Sequence, residues 1–191
     1  MHNDNVKQQI GICKSRATYL KYEVTRNHLA AFVAQTFSKE DIALDKIDHR
    51  FICDFELYLR TVATYGANTT AKFMQFFKRI VILALNNNYI IKNPFIHYQI
   101  RLQQVDREFL TMEELTAIMK AKFTVRRLEI IRDLFVFSCW TGLAYIDLKN
   151  LRRQHLYRSI DGHLWIRINR QKSKEMSAIR LMDVANLLLE K

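Results

Sequence analysis

Apolar residues recur at helical spacing along the first half of the chain. In a first predicted helix, residues 15–35, the side chains of Leu29, Phe32 and Val33 follow the i, i+3, i+4 rhythm of one buried face. Asp48 is a favourable N-cap, and the apolar stripe that follows it predicts a second helix. The pattern therefore predicts amphipathic helices that share one core.

A third predicted helix takes Asn68 as its N-cap and ends in a run of asparagines. Pro94, the single proline, is followed by a polar segment. Proline and polar runs are typical of the connections between domains. We therefore predict a small helical bundle in residues 1–105 and a second domain in residues 106–191.

The second domain opens with a helix-start signal. Thr111 and Glu114 have the spacing of a capping box. The next predicted helix, residues 125–140, is nearly apolar in its second half, and such a helix is expected to be buried on most sides. Gly142 then permits a tight turn into a short helix that begins at Tyr145.

The last third of the chain changes to the period of a β-strand. Apolar and polar residues alternate over residues 164–169, which predicts a strand with one buried face. Residues 170–176 are predicted to form a hairpin loop, residues 177–181 a return strand, and Asp183 the N-cap of a last helix. The predicted fold is mainly α: a helical bundle followed by an α+β domain with a β-hairpin or three-stranded sheet.

Composition narrows the class of protein. Only 4 glycines and 1 proline interrupt 191 residues, which favours long helices. No apolar run is long enough to span a bilayer, and the first residues have no apolar signal core. The three cysteines, Cys13, Cys53 and Cys139, are widely spaced, so we expect free thiols in a reducing cytoplasm.

Positive charge is spread over both predicted domains. The chain has 30 Lys and Arg against 19 Asp and Glu, a net charge of +11. Residues 1–105 contribute +6 and residues 106–191 contribute +5. Such a distribution suits the phosphate backbone of double-stranded DNA, although a basic protein without a nucleic-acid partner has the same composition.

Candidate DNA contacts lie on two predicted helices. Lys and Arg near helix starts, with Asn and Thr beside them, are the residue types that position phosphates. The alternative is that they form ordinary solvated helix faces. The candidates are Lys14, Arg16, Lys21 and Arg26 on the first helix, and Asn68, Thr69, Lys72, Lys78 and Arg79 on the third. The histidines lack metal-ligand spacing and no glycine-rich nucleotide loop exists, so we expect neither a metal nor a cofactor.

The order of these motifs resembles the tyrosine recombinases (integrases) over nearly the whole chain. Residues 12–103 resemble the family's core-binding domain, a SAM-like helical bundle, and residues 108–191 resemble the first half of its catalytic domain. Residues 141–148, TGLAYIDL, are similar to the box around the family's first catalytic arginine, T-G-L-R-x-x-E-L. Lys172 falls at the position of the family's hairpin lysine. The wording TGLAYIDL further resembles integrases of Bacteroides conjugative or mobilisable elements.

The resemblance implies a chemistry in which a tyrosine attacks a DNA phosphate and a 3′-phosphotyrosyl link forms. Arginines stabilise the phosphoryl oxygens, and Lys172 is expected to protonate the 5′-hydroxyl leaving group. Ala144 stands where the first arginine is expected, and a methyl group donates no hydrogen bond. We hypothesise that Arg170 supplies part of the missing charge; Arg132 and Arg152 are weaker candidates. Lys174 is expected to contact phosphate or solvent.

Two further features complete the expectation from the resemblance. Asp147 matches the family's acid after the first arginine, and with Ala144 present we expect it only to stabilise the short helix through its dipole. The family's His-x-x-Arg and nucleophilic tyrosine are expected downstream of residue 191, so His155-x-x-Arg158 is interpreted as coincidence.

The expected function is therefore that of a DNA-binding fragment of a site-specific recombinase, inactive by itself and self-associating on DNA. The alternative is a non-enzymatic DNA-binding or regulatory protein, or a decayed remnant.

Overall fold

The computed structural model describes residues 2–191. The chain divides into two compact units, the first ending at Asp106 and the second spanning Arg107–Lys191. Each unit has its own apolar core.

The first unit is helical. Its helices are α1 (His2–Gln8), α2 (Arg16–Phe37), α3 (His49–Thr61) and α4 (Ala67–Asn86), with one 3₁₀ turn at Leu44–Lys46. Helix α1 was not predicted. Ser15 and Asp48 cap α2 and α3 by accepting hydrogen bonds from Thr18 N and Phe51 N.

The predicted N-cap of α4 is wrong. Gly66 occupies that position, and Asn68 lies inside the first turn. Its amide instead bonds the Gln103 backbone in both directions, donating to the Gln103 carbonyl at 2.9 Å and accepting from its N–H at 2.7 Å. Asn68 therefore ties the segment that follows the helices back onto the start of α4.

Aromatic rings dominate the core of the first unit. Phe32 of α2 lies edge-to-face with Phe51 at a centroid distance of 5.1 Å, and Phe55 meets Phe77 of α4 in the same way at 5.5 Å. Such pairs add roughly 0.5–1.5 kcal/mol beyond the area that they bury. Phe95, beyond α4, closes the core with 2% of its surface exposed. Tyr98 follows and donates its hydroxyl to Glu56 of α3.

The second unit contains four helices and a small sheet. The elements are α5 (Met112–Lys120), α6 (Arg126–Thr141), α7 (Tyr145–Lys149), a 3₁₀ turn at Arg153–His155, β1 (Leu156–Arg158), β2 (Leu164–Asn169), β3 (Met176–Arg180) and α8 (Asp183–Leu189). The predicted capping box is present: Glu114 N donates to the Thr111 hydroxyl, and Thr111 N donates to the Glu114 carboxylate. Met182, not Asp183, is the N-cap of α8.

The three strands form one antiparallel sheet in the order β1-β2-β3. Ile166 and Ile168 of β2 face inward and pack with Phe137, Leu143 and Leu181. The apolar half of α6, which is expected to be covered on most sides, is only partly buried within residues 2–191. Val136 and Phe137 are buried, but Leu134 and Phe135 are 41% and 43% exposed because no described element covers that side.

The described residues contain neither a membrane-spanning helix nor a disulfide. Within residues 2–191, no helix is long and apolar enough to cross a membrane. The three cysteines are unpaired and exposed.

Candidate functional site

Backbone hydrogen bonds of Arg170 close the hairpin loop between β2 and β3. Arg170 N donates to the Glu175 carbonyl at 2.8 Å, and Lys174 N donates to the Arg170 carbonyl at 2.8 Å. Lys174 has a φ of 64°, in the left-handed region that most L-residues avoid. Lys172 lies at the centre of this loop and is exposed.

Asp147 anchors the loop from outside. Its side chain is 4% exposed, and it accepts a hydrogen bond from the backbone N–H of Gln171 at 2.7 Å. Its second oxygen lies 3.7 Å from Nη1 of Arg170. The expectation that Asp147 acts only through the dipole of α7 is therefore wrong, because its carboxylate fixes the residue beside Lys172.

Arg170 links three elements through its guanidinium. Nη1 donates to the Gly142 carbonyl at 2.9 Å, and Nε donates to the Ser177 hydroxyl at 3.1 Å. The side chain is 28% exposed, so part of the guanidinium faces solvent while its other groups are held. A guanidinium held in this way is pre-organised to contact a second anion.

Ala144 lies beside this network. It is the exposed N-cap of α7, and its carbonyl accepts from Asp147 N at 2.9 Å. The turn that precedes it depends on Gly142, whose φ of 62° suits glycine. The TGLA turn, the acid of α7 and the hairpin arginine are thus brought together.

The weaker arginine candidates lie elsewhere. Arg132 is 12% exposed, donates to the Ala121 carbonyl and pairs with Asp133 at 2.8 Å. Its guanidinium therefore holds the end of α5 against α6. Arg152 is exposed, and its backbone N–H donates to Nδ1 of His155 at 3.0 Å.

Three of the predicted DNA contacts lie on one face of α4. Asn68, Lys72 and Arg79 are spaced i, i+4 and i+11, so they lie within about 40° around the helix. The buried residues of α4, among them Met74 and Phe77, lie on the opposite side. Lys72 and Arg79 are exposed, whereas the Asn68 amide is engaged by Gln103.

The remaining candidates of α4 flank that face. Thr69 is exposed. Lys78 is half-buried, with its ammonium 5.8 Å from the centre of the Phe95 ring. Lys78 therefore has a packing contact in addition to any ligand that it binds.

The basic residues of α2 do not form one stripe. Arg16, Lys21 and Arg26 are spaced by five residues, so successive side chains are rotated by about 140°. Lys14 precedes the helix and interacts electrostatically with His2. Burial lowers the pKa of His2, and the positive charges of Arg79 and, more weakly, Lys14 lower it further. Lys14 and Arg79, from different elements, therefore raise the potential around one point.

A polar cleft beside the hairpin was not predicted. We call it the β2 cleft; it has a volume of 270 Å³ and is lined by Asp147, Asn150, His155, Arg167, Ile168, Asn169 and Gln171. The alternation of β2 predicted that Arg167 and Asn169 face outward, but it carried no information that Asn150 and His155 would meet them.

Metal ligation has no support in the described part of the chain. No group of three or more His, Cys, Asp or Glu side chains there is placed to hold a metal ion.

Comparison with known proteins identifies the family. Residues 2–101 match the phage integrase SAM-like domain, which is just over half of the chain. The chain belongs to this family. A search of curated protein sequences found no match.

Two solved structures share the fold. One is a lambda integrase dimer bound to a COC' core site, with a TM-score of 0.75, 16% identity, and coverage of 100% of this chain and 64% of that chain. The other is the XerH site-specific recombinase bound to a palindromic difH substrate in a post-cleavage complex, with a TM-score of 0.61, 19% identity, and coverage of 91% and 51%. The chain therefore spans between half and two thirds of the length of these proteins. The family match and the shared fold confirm the resemblance to tyrosine recombinases.

Proposed function

We propose that residues 1–191 are the DNA-binding part of a site-specific tyrosine recombinase. In this proposal the unit ending at Asp106 is the core-binding domain, and the unit Arg107–Lys191 is the first half of the catalytic domain. The observation that carries the proposal is the contact of Asp147 with both Arg170 and Gln171. It gathers a cation and a lysine-bearing loop at the TGLA turn.

The proposed chemistry divides the work between two side chains. Phosphoryl transfer gathers negative charge on the non-bridging oxygens, and a pre-organised guanidinium stabilises that charge. Arg170 supplies such a guanidinium in place of the absent arginine at Ala144. Lys172, on an exposed loop whose base is fixed by Asp147, is the general acid that protonates the 5′-oxygen leaving group.

DNA binding in the proposal rests on phosphate contacts. Lys72 and Arg79 on one face of α4 carry most of it, with Lys14, Arg16, Lys21, Arg26, Thr69, Lys78 and Lys174 as further contacts. Asn68 orders the segment near Gln103 in addition to any phosphate contact. The proposal also includes self-association on DNA and a cytoplasmic location. The resemblance of residues 141–148 to integrases of Bacteroides-type mobile elements supports, within the proposal, an origin in such an element.

Fluorescence anisotropy with a labelled DNA duplex, measured over a salt series, tests binding. We expect the affinity of the 191-residue chain to fall steeply with salt because bound phosphates release counterions. Lys72→Gln with Arg79→Gln reduces both the affinity and the salt dependence. Lys39→Gln with Lys46→Gln is the matched control, since it removes the same two charges from exposed residues outside α4. An affinity that is flat between low and moderate salt contradicts the proposal.

The catalytic roles are tested in a chimera that adds a family member's downstream His-x-x-Arg and tyrosine to this chain. Lys172→Ala should slow cleavage of ordinary DNA but not of DNA with a 5′-bridging sulfur, because a thiolate leaves without a proton. Arg170→Ala should slow cleavage of both substrates. If Arg170→Ala cleaves at the parent rate, the substitution hypothesis for Ala144 is wrong.

A non-enzymatic DNA-binding or regulatory protein is the second candidate. Ala144 favours it, because the methyl group removes a catalytic contact while leaving the fold intact. In that case the chimera binds DNA and remains inactive with either substrate.

A further inference from the structure

The β2 cleft is lined mainly by polar residues. The amides of Asn150, Asn169 and Gln171 line it together with His155 and Arg167. Its one acid, Asp147, already accepts from the Gln171 backbone and faces Arg170. Arg167 adds a cation to this lining, and the Asn, Gln and His side chains beside it have N–H groups that can donate to an anion.

The hydrogen bonding of His155 fixes which ring nitrogen carries the proton. Nδ1 accepts from the backbone N–H of Arg152 at 3.0 Å. In the neutral ring, the proton is then on Nε2, which is a donor. His155 therefore adds a donor to the cleft without needing a positive charge.

Arg167 supplies the charge. It is exposed on the outer face of β2, where its register partner on β3 is Ala178. Nε lies 3.2 Å from the Met176 sulfur, a weak acceptor that leaves the charge unneutralised. Among the described residues, no carboxylate forms an ion pair with Arg167.

The strands next to the cleft carry no acid on their outer face; the carboxylate of Asp161, between β1 and β2, reaches this face and accepts from Trp165 Nε1 at 3.4 Å. The register places seven side chains on the outer face of the sheet, and none is Asp or Glu: Tyr157, Trp165, Arg167, Asn169, Met176, Ala178 and Arg180. The electrostatic potential along this face therefore favours a polyanion.

The volume of the β2 cleft limits the size of a ligand that it can hold. Sites for drug-sized molecules span roughly 300–1,000 Å³, and the β2 cleft measures 270 Å³. It has room for a single phosphate group. Gln171 lines the cleft and precedes Lys172, so a phosphate bound there lies beside the hairpin loop.

We propose that the β2 cleft binds one backbone phosphate of DNA through Arg167 and His155. This contact would fix the position of the duplex relative to the hairpin between β2 and β3. This inference rests on the proposed DNA-binding function. It assigns phosphate recognition to residues outside the basic faces of the first unit.

The test compares DNA affinity across a salt series for three substitutions. Arg167→Gln should weaken binding about tenfold and reduce the slope of log affinity against log salt by about 1. Arg167→Lys restores part of the affinity because it keeps the charge without the planar fork. His155→Asn, whose amide oxygen replaces Nδ1 as the acceptor for Arg152 N, should weaken binding about threefold.

Arg158→Gln is the matched control, since it removes the same charge from exposed β1, where its side chain leaves the other face of the sheet. If Arg158→Gln weakens binding as much as Arg167→Gln, the effect is general electrostatics and the inference is wrong. A second arm follows the amide resonances of Asn169 and Gln171 during titration with inorganic phosphate. If they shift while Arg167→Gln leaves DNA affinity unchanged, the cleft takes free phosphate and the DNA assignment is overturned.

The two proposals fail in different ways. An unmodified chain with no salt-dependent DNA binding contradicts the proposed function itself. Loss of binding in the Lys72 and Arg79 variant, without loss in Arg167→Gln, overturns only the inference about the cleft.

Discussion

Asp147 and Gln171, 24 residues apart in sequence, are joined by a hydrogen bond of 2.7 Å from the Gln171 backbone to the Asp147 carboxylate. The carboxylate is buried at 3% residue exposure, so water does not replace it as a partner. One acid at the start of a short helix therefore determines where the hairpin loop is held.

Substitution of Asp147 should separate its charge from its hydrogen bond. Asp147→Ala leaves the Gln171 N–H without its partner and should lower the free energy of unfolding by about 1–3 kcal/mol. Asp147→Asn keeps a carbonyl oxygen for Gln171 and should cost less, while it removes the attraction to Arg170. Urea denaturation measures the stability, and hydrogen exchange at the Gln171 amide reports the loop. Exposed Asp183→Ala is the control; equal effects of both alanines would contradict the anchoring role.

Tyr98 should stabilise the first unit through Glu56. Its hydroxyl donates to the Glu56 carboxylate, and burial together with this bond raises the pKa of Tyr98 above its usual value. Tyr98→Phe should therefore lower the free energy of unfolding by about 1–2 kcal/mol. Tyr89→Phe, at a tyrosine that is 60% exposed, should have no measurable effect in the same thermal denaturation experiment. A Tyr98→Phe protein as stable as its parent would show that the contact is not formed in solution.

Thr64 should be a site where glycine stabilises the fold. Its φ of 56° is unfavourable for a β-branched residue, and it follows the end of α3, where Tyr65 N donates to the Leu59 carbonyl at 3.0 Å. Thr64→Gly should raise the free energy of unfolding by roughly 0.5–1 kcal/mol, after the entropy that glycine adds to the unfolded chain. Thr64→Ala keeps the β-carbon and should give no gain. A similar gain from alanine would mean that strain is not the cause.

Acid should weaken the first unit through His28. The ring lies between Tyr65 and Phe73, and burial lowers its pKa below 6.5. Between the folded pKa and 6.5, the unfolded chain binds a proton that the folded chain does not, so stability falls as pH falls below 6.5. The slope from one such group is at most about 1.4 kcal/mol per pH unit.

Urea denaturation at pH 7.5, 6.5 and 5.5 checks this prediction. His28→Gln should flatten the dependence, because glutamine keeps a hydrogen-bonding group near the Tyr65 hydroxyl without titrating. Exposed His97→Gln should leave it unchanged. His2, whose pKa is also lowered, contributes a slope of the same sign that remains in both variants.

Local signals in the sequence predicted the elements well. The Thr111 and Glu114 capping box, the Asp48 cap and the strand at residues 164–169 were confirmed, because each depends on contacts within a few residues. The cap at Asn68 was wrong because its partner, Gln103, is 35 residues away, and side-chain spacing carries no information about such a contact.

The candidate site was predictable only as far as its parts are local. Sequence order placed Lys172 in a hairpin and Ala144 in a turn. The contacts of Arg170 with Gly142 and Asp147 depend on how the sheet packs against the turn, which no periodicity specifies. Exposure of Leu134 and Phe135 has the same origin, since a run of apolar residues does not say which elements cover it.

The position of Arg170 has an evolutionary consequence. The guanidinium reaches the Gly142 carbonyl and the Asp147 carboxylate from the hairpin, beside the exposed N-cap occupied by Ala144. Under the proposal that Arg170 supplies the charge missing at Ala144, residues 144 and 170 are coupled, and an arginine gained at one relaxes selection on the other. Related sequences should carry arginine at either position more often than at both, and the exchange can pass through a tolerated intermediate with two cations around one buried acid.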